Sequence, residues 1–220
     1  MHRVVEFVLP FFDGDMEEPA SNHDALPQGG TYMPSGSDWS AVQPGQEYTF
    51  FFLYIELLPG EEWEVKSGDQ NRKEIQGRFE QFVRRRVSPN KGEIWMWSEW
   101  GGVVLFPYSG DDSTPIILAT RLMLNRPLVS LEEIGVESLA HYRLALHVGN
   151  TVYNPRGETG TIISEDLNFL FHLGKKQAEP NTFYVTESAY GQVPPRLRPL
   201  FSEIDTFEGR GLYRMRRFVF

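Results

Sequence analysis

Tyr48 to Leu58 (YTFFFLYIELL) is a run dominated by aromatic and aliphatic residues that predicts a buried strand, stopped by Pro59-Gly60. Beyond it the spacing changes. Ile75, Phe79, Phe82, Val83 and Val87 recur at helical intervals and predict a helix over about Asp69 to Val87. Arg84, Arg85 and Arg86 fall near its C-terminus, where cations complement the helix dipole, so a structural role is favoured there over a phosphate site. Ser88 to Gly92 reads as a turn. Glu93 to Trp97 and Gly102 to Pro107 then read as two strands joined tightly around Glu99, Trp100 and Gly101. Pro115 suits the first turn of a helix carrying Ile116 to Leu124. Leu128 to Leu139 is a second helical piece or a loop insert.

The second half repeats the alternation. Arg143 to Val148 has the mixed pattern of a strand lying on a core, and Gly149-Asn150 signals a turn at its end. Asn154, Pro155, Gly157 and Gly160 mark loop. Ser164 is placed to cap a helix with Glu165 and Asp166 in its first turn. Leu167, Leu170, Phe171 and Leu173 give that helix an apolar side, while Asn168 and His172, four apart, share a polar one. Thr182 to Thr186 predicts a strand and Glu187 to Gln192 a helical turn. Phe201 to Phe207 and Leu212 to Val219 predict a closing hairpin about Gly209 and Gly211. Upstream, residues 1–12 form one strand or a short helix, and 13–47 read as an irregular exposed segment rich in Asp, Glu, Pro, Gly, Ser and Asn. The reading is therefore an extension over 1–47 and one α+β domain over 48–220, with helices packed on one face of a sheet.

Composition narrows the chemistry. A chain of 220 residues, 40% hydrophobic, can bury a sizeable core. It has no cysteine, which excludes disulfides, thiolate zinc sites and a cysteine nucleophile. No apolar run approaches the roughly 20 residues of a membrane span. The N-terminal apolar run meets Pro10 and then acidic residues, unlike a signal peptide, so a cytoplasmic location is the expectation. A net charge of −9 argues against general nucleic-acid binding.

The segment His141 to Leu173 (HYRLALHVGNTVYNPRGETGTIISEDLNFLFHL) is a strand, a glycine-rich loop and a helix. Leu146-His147-Val148-Gly149, followed later by Asn168 and His172, resembles the class III nucleotidyl cyclase homology domain, whose strand reads like GIHxG and whose helix carries Asn-x-x-x-Arg. The likeness spans about residues 48–218 and lies in order and spacing. It implies a ferredoxin-like βαββαβ sheet. It also implies, for active members, two divalent metals held by two aspartates, a base-reading lysine, and an asparagine and arginine acting on a partner subunit's substrate.

Laid on that pattern, the chain has Tyr54 at the first metal aspartate, Met96 at the lysine, Trp100 at the second metal aspartate and His172 at the arginine; Asn168 alone is retained. Tyr54 and Trp100 stand 46 positions apart, close to the family's spacing of its two aspartates. An aromatic ring does not hold Mg²⁺, which takes oxygen ligands, and a neutral histidine does not replace a fixed guanidinium. With these substitutions the resemblance implies a catalytically degenerate domain, free of cofactor, serving signalling or regulation as a homodimer or heterodimer. Two alternatives stay open. One is a divergent active adenylate or guanylate cyclase using Glu56, Glu99 and Asn168 with Mg²⁺ or Mn²⁺, Glu56 and Glu99 being otherwise surface acids. The other is a domain that binds a nucleotide in the old cleft without chemistry.

Further candidates are weaker. Asp13 as a displaced metal ligand would lie too far from Trp100, and Asp13 and Asp15 read as turn residues. The five histidines show no metal-ligand spacing, and His147 reads as a core or pocket histidine. Asn154 to Gly160 lacks the phosphate-loop spacing. Trp95, Trp97 and Trp100 suit sheet packing or a dimer surface better than a stacked base.

Overall fold

The computed structural model describes residue 32 and residues 39–59, 69–110, 112–134, 140–155 and 164–216. The expectations for residues 1–12, for Asp13 and Asp15, and for most of the Asn154–Gly160 loop lie outside these.

The apolar run forms β1 (Glu47–Leu58), and its aromatic richness has a topological reason: it is an inner strand with covered faces. It pairs antiparallel with β4 (His141–Val152) along its whole length, Glu47 opposite Val152 and Leu58 opposite His141. On its other edge it pairs antiparallel with β3 (Gly101–Pro107), which pairs in turn with β2 (Glu93–Trp97). The sheet continues past β4 through β5 (Phe183–Thr186) and β7 (Arg210–Met215) to β6 (Phe201–Phe207), in the order β2-β3-β1-β4-β5-β7-β6. The first four strands, with α1 (Asp69–Val87) and α2 (Thr114–Leu124), make the expected ferredoxin-like βαββαβ unit.

Strand alternation divides the core in two. Phe51, Leu53, Ile55 and Leu57 pack with Ile75, Phe79, Phe82 and Val83 of α1 and with Ile116, Ala119 and Leu122 of α2. Both helices of the unit thus share one face. Tyr48, Phe50, Phe52 and Tyr54 point the other way, where α3 (Glu165–His172) supplies Leu167, Phe169 and Leu170. Ser164 caps α3 as its sequence predicts, its hydroxyl accepting from the Leu167 amide. A π-helical turn, Leu173–Gln177, extends the helix. A short 3-10 turn at Trp39–Ala41 also lies on this face, with the Trp39 ring stacked against Phe50.

One element departs from its local signals. Gly149-Asn150 does not turn; β4 runs on to Val152. The glycine has a packing reason: a Cβ at Gly149 would come within 2.6 Å of the Asp166 side chain. β2 carries a bulge between Ile94 and Met96, which puts Trp95 and Met96 on the α3 face while Ile94 and Trp97 face α1. All three hairpin tryptophans pack on the core. Trp95 is fully buried with its indole N–H donated to the Asn154 carbonyl, and Trp97 and Trp100 lie against the α1 side.

Candidate functional site

Tyr54, Glu56 and Arg143 form one closed cluster on the β1–β4 pair, under the π-helical turn that follows α3. Tyr54 is 1% exposed, and a Cβ on Gly174 would overlap its ring, so the π-helical turn sits directly on it. Its hydroxyl donates to Glu56 Oε2 at 2.6 Å. Glu56 lies opposite Arg143 in the β1–β4 register, and Arg143 donates to the same oxygen through Nε at 2.8 Å and Nη2 at 2.6 Å. Lys175 Nζ lies 3.4 Å from Glu56 Oε1. Arg143 Nη1 meanwhile donates to the carbonyls of Ala178 and Lys175, closing the end of the helical segment.

The electrostatics follow from that arrangement. Burial pushes the Tyr54 phenol far above its ordinary value, and the bonded Glu56 carboxylate adds to the effect. Burial would also raise the Glu56 carboxyl, but the hydrogen bonds from Tyr54 and Arg143 and the charges of Arg143 and Lys175 outweigh it and hold Glu56 below its usual range. The cluster is thus a neutral phenol and a carboxylate whose oxygens are both taken.

The other sequence candidates are not brought to this point. Glu99 sits at the β2–β3 tip, 71% exposed, and accepts from Arg72 Nη2 of α1 at 3.1 Å. Arg72 also lies over the Trp100 ring, 5.3 Å from its centre. Glu99 and Trp100 therefore belong to the α1 face, and Glu56 to the α3 face. Met96 packs among the α3-face residues. Asn168 and His172 project from the exposed side of α3, away from Tyr54's enclosure. His172 Nδ1 meets Glu208 Oε1 at 3.0 Å, in the turn between β6 and β7.

A second polar cluster, at the middle of β4 and beside the first turn of α3, was not assembled by sequence reasoning. His147 of β4 is 2% exposed and lies between Phe52 and Phe169. Its Nδ1 is 2.9 Å from Thr186 Oγ1 and 3.1 Å from Ser188 Oγ; its Nε2 is 2.8 Å from Arg210 Nη1 and 3.3 Å from Asp166 Oδ1. Arg210 also donates to Asp166 Oδ1 at 2.7 Å and lies 4.3 Å over the Phe169 ring. The Asn150 amide donates to Asp166 Oδ2 at 2.7 Å. Burial lowers the His147 pKa, more than the neighbouring Asp166 raises it. Burial raises that of Asp166, but His147, Asn150 and Arg210 outweigh this and carry it well below the usual range.

Ser188, His147 and Asp166 have the residue types of a hydrolytic triad but not its chemistry. Arginine only donates, so Nε2 accepts from Arg210 and the ring proton is on Nδ1. A protonated Nδ1 cannot take the Ser188 proton, and the Ser188 hydroxyl is already engaged with both the carbonyl and the amide of Val148. Local sequence carries no signal for this cluster, since Asp166 and Arg210 lie 19 and 63 positions from His147.

Among the described residues, no three His, Asp or Glu side chains converge as a metal group, and no helix is long and apolar enough to cross a membrane. No protein-family model matches the sequence, and no curated protein matches it. Solved structures do. The guanylate cyclase domain of RhGC from Catenaria anguillulae, in complex with GTP, aligns at TM-score 0.61 and 9% identity, covering 78% of this chain and 98% of that one. The adenylate/guanylate cyclase/hydrolase from Silicibacter pomeroyi aligns at 0.58 and 13%, covering 77% and 97%. The adenylyl cyclase CyaB from P. aeruginosa aligns at 0.58 and 12%, covering 79% and 96%. With the βαββαβ order already established, these alignments show that the chain has the catalytic-domain fold of class III adenylate and guanylate cyclases.

Proposed function

We propose that this is a catalytically degenerate nucleotidyl cyclase-like domain, residues 48–220, that acts in signalling or regulation by pairing with another cyclase-like surface. The observation that carries the reading is the Tyr54 cluster. Where the fold's active members need an open carboxylate for divalent metals, this chain has a buried phenol lying against Gly174 and hydrogen-bonded to Glu56. Both Glu56 oxygens already face donors, three bonds to Oε2 and the Lys175 ammonium beside Oε1. A hard cation wants several free oxygens, and this donor set does not fit one. Glu99 supplies no second ligand, because it is turned to the other face of the sheet.

Partner association is supported by the exposed polar side of α3, which presents Asn168 and His172 outward. One guanylyl cyclase domain of this fold, from the RhoGC fusion protein of Blastocladiella emersonii, is described as a dimer. The test is direct. Purified protein given ATP, GTP, CTP or UTP with Mg²⁺ or Mn²⁺ yields no cyclic nucleotide under this reading, and sustained turnover overturns it. Sedimentation of the protein, alone and with the α3-face substitution Asn168→Arg, examines the pairing: a self-associating species that the substitution weakens is the expected result.

A further inference from the structure

The β6–β7 turn is fastened to α3 by the Arg210 side chain, and the fastening runs through a group that titrates. One Arg210 nitrogen, Nη1, bonds to two acceptors at once, His147 Nε2 at 2.8 Å and Asp166 Oδ1 at 2.7 Å. This uses both of its hydrogens and requires a bare Nε2. Phe207, from the same turn, packs on Phe169 of α3 at 5.9 Å between ring centres. Arg210 Nη2 also reaches the exposed Glu165 at 3.4 Å.

We infer that the His147–Arg210 contact is a proton-sensitive latch, which holds the β6–β7 turn against the first turns of α3 while His147 is neutral and releases it when the ring takes a second proton. A proton on Nε2 removes the acceptor and sets two cations within a hydrogen-bond length of each other in a part-buried site. The new N–H turns instead to Asp166 Oδ1, already 3.3 Å away. Arg210 Nη1 then keeps only one of its two acceptors and shares that oxygen with a second cation, which weakens its hold on the site.

Among the described residues, the ring's surroundings are these. From β1 it meets Phe52, from α3 Phe169 and Asp166, from β5 Thr186, from the helical turn after β5 Ser188, and from β7 Arg210. Glu165 touches only the far side of Arg210, and Glu187 lies against Gly211, 3.0 Å from where a Cβ would stand. The His172–Glu208 contact ties the same turn to the end of α3, but both side chains are nearly half exposed, so it holds weakly. Burial opposes the charged ring, so release comes below the ordinary histidine range. The latch does not depend on the regulatory reading.

Two measurements on the full chain test it. Imidazole ¹⁵N shifts of the wild-type protein at about pH 7 report the tautomer directly. A protonated Nδ1 and bare Nε2 are expected, and a protonated Nε2 overturns the latch. Amide-exchange protection factors are then compared between about pH 7 and about pH 4.5. Protection at Glu208 to Gly211 and at Leu167 and Asn168 is expected to fall by about tenfold in acid, with the core of β1 unchanged. In Arg210→Ala it is expected to be low at both pH values. In His147→Gln, whose amide cannot titrate, it is expected not to respond to pH. A wild-type protein that shows no acid response, or a His147→Gln protein that responds equally, overturns the proposal. If His147→Gln fails to fold, the tautomer and the Arg210→Ala profile decide it.

Discussion

Two arginine–carboxylate pairs lie near the two ends of the same helical segment, and they behave differently. At one end Arg143 grips Glu56, and the third member is a phenol; at the other Arg210 grips Asp166, and the third member is an imidazole. The phenol gives its hydrogen to the carboxylate, and burial moves its pKa up and out of reach, so nothing in that cluster changes charge near neutrality. The imidazole accepts from the arginine, and a single proton reverses that role. The same helical segment is thus held by a fixed tie and a titratable one, and the identity of one neutral partner decides which.

The comparison can be broken at either end. The largest effect is expected from Arg143→Met. It leaves the Glu56 charge buried with only Tyr54 and a partly solvated Lys175, and strands the carbonyls of Lys175 and Ala178. Urea unfolding is expected to show a loss of about 3 kcal/mol. Tyr54→Phe keeps the ring against Gly174 and removes only the O–H bond to a charged acceptor, for an expected loss of about 1.5 kcal/mol by the same measurement.

The pH dependence of unfolding sharpens the contrast. The folded-state pKa of His147 is depressed, so the unfolded chain binds the proton first, and His147's contribution is present above about 6.5, the free histidine value, and lost progressively as pH falls below it. Glu56 and Asp166 are depressed as well, and their contributions are lost only further down, below the ordinary carboxylate range. Subtracting the stability curve of His147→Gln from that of the wild type isolates the first window; a flat difference there would count against a neutral buried imidazole. The smallest effect is expected from Arg72→Ala. That pair with Glu99 is exposed on both sides, and its loss should fall within about 0.5 kcal/mol in the same unfolding assay.

Much of the frame could be read from the chain because it rests on local rules. The apolar run of β1, the 19-residue span of α1 and the serine cap of α3 all stand where residue spacing puts them. The residues set against the cyclase resemblance, Tyr54, Met96, Trp100 and His172, are named from order and spacing alone. What those residues do was not legible there. Tyr54 could have stood beside an open cleft; it is closed in because Gly174, far along the chain, lets a helical turn settle on its ring.

Gly149 shows the opposite error, a turn signal inside a strand. A glycine next to an asparagine has the local properties of a turn, but here the missing side chain makes room for Asp166, and pairing with β1 keeps the backbone extended. Most elements and their order could be read from residue pattern, because strand alternation, helical period and capping act over a few neighbours. That Glu56 and Glu99 look to opposite faces, and that Arg143 and Arg210 each close on a carboxylate, emerges once the chain is folded. Those outcomes are set by strand register and by helix docking, which join residues as much as 87 positions apart.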